Sequence, residues 1–81
     1  MGNIAEILDL LSTIKEDSSV PRNVRITIDK TIICLREDDT VSVEVNIDKA
    51  IQNLDEISSD PNIPIYTRTQ IWNAISALES K

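Results

Sequence analysis

Few side chains in these 81 residues carry reactive chemistry, and none of them is a histidine. Without imidazole the chain lacks the commonest general base and the commonest metal ligand. Cys34 is the lone cysteine, so no internal disulfide can form. It stands between Ile33 and Leu35, where a thiol reads as a small buried hydrophobe rather than a nucleophile. Glu37-Asp38-Asp39 places three acids in a row, but a hard cation needs ligands converging from several directions. The run reads as a solvated connection. Di-iron helix bundles use Glu-x-x-His, which this chain cannot supply. Tyr66 and the pairs Asp17 with Arg25 and Asp60 with Arg68 complete the inventory. None of these sets a nucleophile, a base and an orienting group at a recognisable spacing. The expectation is a protein that is not an enzyme, with no catalytic, cofactor or metal site. A small enzyme or a metal-binding bundle built on carboxylates is the alternative.

Charge narrows the partners. Fourteen acidic against eight basic residues give a net charge of −6, which repels phosphate backbones and anionic lipid head groups. The nearest thing to a basic patch is Arg22 with Arg25, flanked by Asp17 and Asp29. Neither nucleic acid nor membrane is therefore expected as a partner. No basic segment is followed by a long apolar run, so the chain reads as a cytoplasmic protein. Its length allows one domain, residues 1–81, with a modest core.

The elements that position these residues follow from apolar spacing. Ile4, Ile7, Leu8, Leu11 and Ile14 form one helical stripe, with Asn3 and Glu6 at capping-box spacing before it. Asp17 to Pro21 breaks that helix and starts another, with Ser19 or Val20 at the cap and Pro21 in the first turn. Val24, Ile28, Ile32 and Leu35 then share a face. Two β-branched stretches, Val24 to Ile28 and Val41 to Ile47, alternate as strands would. The longer 3.6-residue pattern outweighs both, the second through Val43, Ile47, Ala50, Ile51, Leu54 and Ile57, with Val41 and Val45 as exceptions. After Asp60-Pro61-Asn62-Ile63-Pro64 a last helix runs to about Glu79, with Thr67, Ile71, Ala74, Ile75 and Leu78 on one side.

A shift of 43 residues lays Pro21 on Pro64 and reveals an internal repeat. Ile4, Leu11, Ile14, Asp17, Pro21, Arg25, Ile28, Ile32 and Leu35 meet identical residues at 47, 54, 57, 60, 64, 68, 71, 75 and 78. Repeat one spans about 3–36, an acidic connection 37–42, and repeat two about 43–79. Each unit is a helix–turn–helix pair whose apolar face is covered only by the other pair. The fold class expected is all-α: a four-helix antiparallel bundle made of two such repeats.

The Asp-x-x-x-Pro turn with an Arg in the following helix resembles HEAT-type repeats. That resemblance implies that Asp17, Pro21, Arg25, Asp60, Pro64 and Arg68 are turn and inter-repeat residues, with Asp and Arg bonding between neighbouring units. A closer resemblance lies in Ser19-Val20-Pro21-Arg22-Asn23, Leu54-Asp55-Glu56-Ile57-Ser58, Asp60-Pro61-Asn62-Ile63-Pro64 and Arg68-Thr69-Gln70-Ile71-Trp72-Asn73. These strings resemble uncharacterised protein family 0147, a group of small archaeal proteins. The resemblance implies a four-helix, bundle-like domain and no particular activity.

Four apolar residues fall outside the core pattern. At about 100° per residue, Ile26 and Ile33 lie nearly opposite the core face of their helix, and Ile65 and Trp72 lie on a flank of theirs. Their counterparts are Thr69, Ser76, Arg22 and Asp29. Either these residues cover one another where the pairs stack, the favoured reading for Ile65 and Trp72, or they recruit a partner. The function expected is a non-catalytic protein–protein interaction or self-assembly module, with a protein partner or a homo-oligomer.

Overall fold

The computed structural model describes residues 4–36 and 43–80, the side chain of Val43 apart. It contains α1 (Ile4–Lys15), α2 (Arg22–Arg36), α3 (Val43–Ser58) and α4 (Ile65–Glu79), with no strand among the described residues. Both β-branched stretches are helical wherever described, because Ile28 and Ile47 must reach the core along with residues one and two turns away. The Asn3 cap, the Glu37-Asp38-Asp39 run and Val41 lie outside the described residues.

The four helices close in a ring. Each packs on two neighbours, α1 on α2, α2 on α3, α3 on α4 and α4 on α1, while the backbones of the diagonal pairs stay apart. A HEAT-type stack would place α1 on α3 and α2 on α4. Here the two units instead face each other, so that exchanging them turns the α2–α3 junction into the α4–α1 junction. This is a bundle closed on itself rather than one segment of a solenoid.

The core fills the ring from equivalent positions. Leu11, Ile14, Ile28, Leu54, Ile71 and Leu78 are fully buried, and Val20 and Ile63 close it from the turns. Ile4, Leu8, Leu35, Ile51 and Ile75 pack partly buried at its margin, joined by Leu10 from outside the stripe. Cys34 is half-buried, its thiol directed at the Asn46 carbonyl at 3.5 Å.

The two turns share a set of equivalent bonds. Asp17 N–H donates to the Ile14 carbonyl and Asp60 N–H to the Ile57 carbonyl, each at 3.1 Å. Val20 N–H then donates back to Asp17, and Ile63 N–H to Asp60. The Asp side chains accept from the backbone two residues on, Asp17 from Ser19 at 2.9 Å and Asp60 from Asn62 at 2.8 Å. Pro21 and Pro64 precede the helices rather than opening them, so the first turn's cap falls one residue after Val20 and two after Ser19, the positions the sequence pattern offers. The proline carbonyls accept from Arg25 and Arg68 N–H. A proline suits that place because its fixed φ matches the extended backbone and no N–H is required there.

Candidate interaction surface

Both turns lie at the same end of the bundle, and each reaches across to the other unit. Tyr66 at the start of α4 donates its hydroxyl to Asp17 at 2.8 Å, and Ser19 joins the same hydroxyl at 2.9 Å. At the equivalent place on α2, Asn23 donates its amide to Asp60 at 3.3 Å. Asp17 also accepts from the Ser19 hydroxyl at 2.6 Å. Its carboxyl is held below the ordinary 3.8 by the Ser19 side chain first, then by the Ser19 N–H, the Tyr66 hydroxyl and the charge of Arg25.

Arg25 and Arg68 hold the same place in sequence but differ in their bonds. Arg68 stays within its own unit, donating Nε to the Ser58 carbonyl at 2.9 Å and Nη2 to the Asp60 carbonyl at 3.0 Å. It thereby satisfies the Ser58 carbonyl left open at the end of α3 and adds a second bond to the turn carbonyl of Asp60. Arg25 does nothing comparable: its Nε is buried without a hydrogen-bond partner. The HEAT-type expectation of Asp–Arg bonding between units therefore gives way to a different arrangement. The aspartates cross between units, to Tyr66 and Asn23, because the facing geometry sets each turn beside the start of the other unit's second helix.

The four apolar outliers are all on the surface. Ile26 is 47% exposed, Ile33 51%, Ile65 79% and Trp72 54%, and Tyr66 is exposed beside them. Ile65 and Trp72 do not cover Ile26 and Ile33, since all four are exposed and the two pairs sit on α4 and α2, at opposite corners of the ring. α1, α2 and α3 are each clearly two-faced, whereas α4 spreads apolar residues round most of its circumference. One side of α4 faces the core through Thr67, Ile71, Ala74 and Leu78, and the flank with Ile65 and Trp72 faces outward.

A second feature is only partly visible in the linear sequence. Lys15 from the end of α1 joins Arg22, Arg25, Ile26, Asp29 and Lys30 of α2 around one groove. Lys15 pairs with Asp29 at 2.7 Å. The expectation that no basic patch exists is thus corrected. Spacings of three and four on α2 already put Arg22, Arg25, Ile26, Asp29 and Lys30 together, but Lys15 joins only because α1 packs alongside. Among the described residues no group of three His, Cys, Asp or Glu side chains comes together as a metal site, and no helix is long and apolar enough to cross a membrane.

The whole chain matches a known family. Residues 1–80 fit the Uncharacterised protein family (UPF0147). The chain belongs to that family. A UPF0147 protein of Aeropyrum pernix is 42% identical over 98% of this chain and 86% of its own length. One from Methanothermobacter thermautotrophicus is 45% identical over 91% of this chain and 72% of its own. A crystal structure of a protein of unknown function superposes with a TM-score of 0.88 at 44% identity, covering 96% of this chain and 88% of that one. The crystal structure of a UPF0147 protein from Thermoplasma acidophilum gives 0.87 at 32% identity, covering 94% and 88%. These UPF0147 likenesses show an all-helical fold and an archaeal family, and they name no activity.

Proposed function

We propose that this UPF0147 protein is a non-catalytic protein-binding module that docks through the outer flank of α4. The supporting observation is the pairing of Ile65 and Trp72, two turns apart and more than half exposed. Their counterparts in the first unit are Arg22 and Asp29, so the shared architecture does not require apolar residues there. Trp and its apolar neighbours are the usual anchors of interfaces, because their burial releases much ordered water for little lost side-chain freedom. Tyr66 extends the flank with an amphipathic ring.

Trp72 is the only tryptophan, so its emission reads this flank directly. A blue shift that grows with protein concentration, together with rising sedimenting mass, identifies a second copy as the partner. A shift that appears only on mixing with fractions of native extract, and is lost in Ile65→Asp, identifies another protein. An emission unchanged under both conditions overturns the proposal.

A further inference from the structure

The groove between the last turn of α1 and the first half of α2 has a volume of about 410 Å³. That lies within the size range of sites holding a few side chains. We propose that it binds an acidic segment of a partner protein, which seats an apolar side chain against Ile26 and lays its carboxylates on Arg22, Arg25 and Lys30.

Charge complementarity carries this assignment. Four of the chain's eight cations, Lys15, Arg22, Arg25 and Lys30, line one groove on a molecule whose net charge is −6. Lys15 is committed to Asp29, whereas Arg22, Arg25 and Lys30 have no ion pair within 4 Å among the described residues, and Arg25 acts on Asp17 only through its charge. Arg25 is the informative member. Its twin Arg68 ties its guanidinium to two backbone carbonyls, while no bond through Nε ties Arg25 to α1. With Nε buried, Arg25 would meet a carboxylate through its terminal guanidinium nitrogens, which carry no hydrogen bond to the described residues, and form charge-assisted hydrogen bonds there. Ile26 supplies an apolar wall at the same place, which suits a segment carrying both acidic and apolar side chains better than a sugar–phosphate chain. Tight nucleic-acid binding draws on roughly six or more phosphate contacts. Three unpaired cations set in an acidic surface do not provide them. This groove is separate from the α4 flank, so either proposal stands if the other fails.

The test measures fluorescence anisotropy of a labelled helical peptide of about fifteen residues, with Glu on one face and Leu on the other. Full-length protein is expected to bind it saturably. The same peptide with Gln for Glu, or Ser for Leu, is expected to lose binding. Arg22→Glu with Lys30→Glu changes only exposed residues and is expected to weaken binding about tenfold or more, as is roughly 0.5 M salt. Ile26→Ala, which leaves the charge intact, is expected to weaken it about fivefold. Absence of saturable binding, equal binding by the charge-reversed variant, or tighter binding of a single-stranded oligonucleotide of similar length overturns the proposal.

Discussion

Thr67 offers a stringent check on the packing described above. It is 0% exposed, and its hydroxyl is buried without a hydrogen-bond partner. Other helical threonines avoid this. Thr13, Thr27, Thr31 and Thr69 each donate to the carbonyl four residues earlier. For Thr67 that carbonyl belongs to Ile63, which lies in the turn before α4 begins at Ile65, out of helical register. The counterpart in the first unit is Val24, also 0% exposed, so a valine fits this environment without strain. Thr67→Val keeps the shape of the side chain and removes an unsatisfied buried hydroxyl, whose desolvation costs about 1–3 kcal/mol. Helix propensities of Thr and Val are close, so little of that gain is offset. The expected result is a stabilisation of about 1–2 kcal/mol. In a domain of this size each kcal/mol raises Tm by about 4–8 °C. Thermal melts by circular dichroism, with urea titrations to confirm an unchanged m-value, measure it. The reverse change, Val24→Thr, should destabilise by a similar amount. If Thr67→Val is neutral or destabilising, the hydroxyl has a partner and this account of the α4 start is wrong.

Further expectations follow from the same geometry. Arg68→Ala removes two charge-assisted bonds to the end of α3 and should cost about 2–3 kcal/mol, whereas Arg25→Ala, with no Nε bond to lose, should cost under about 1 kcal/mol. Equal costs in denaturant titrations would show that the two arginines act alike. Because the Asp17 carboxyl is lowered in the folded state, the stability it contributes is fully present above its ordinary 3.8 and is lost as pH falls through the lowered value. Asp17→Asn should therefore flatten the pH dependence of Tm below about 4, and an unchanged acid limb would contradict the role given to the Ser19 and Tyr66 bonds. Ile26→Asp combined with Ile33→Asp should leave helicity intact and stability within about 1 kcal/mol, because both side chains are half exposed. Loss of helicity would place them in the core.

Much of the fold was legible because helix period, turn chemistry and repeat all point the same way. The 43-residue shift located both turns, since an Asp that bonds its own loop and a Pro that needs no N–H are required twice. Ile28 and Ile71, or Leu11 and Leu54, mark the core for the same reason. The sequence pattern led to a four-helix bundle rather than a stack, and the packing of α1 on α4 and α2 on α3 agrees with it. What the sequence could not convey was which side chains meet where the two units face each other. That packing determines that Tyr66 meets Asp17 and Asn23 meets Asp60. It also sets Ile26 and Trp72 on separate corners. Arg22, Arg25 and Lys30 could be placed together by helical spacing, but the groove was incomplete without Lys15, which only the packing of α1 on α2 brings in. The unequal arginines were equally invisible, since identical residues at equivalent positions give no hint that one of them lacks partners.

The claim that the outer flank of α4 is a contact surface is tested most directly by site-specific photo-crosslinking in the native cell. A benzophenone amino acid replaces Trp72 in one strain and the exposed Gln52 of α3 in another. The account predicts a discrete protein adduct from position 72, abolished by Ile65→Asp, and none from position 52. No adduct from position 72, or the same adducts from both positions, would contradict it.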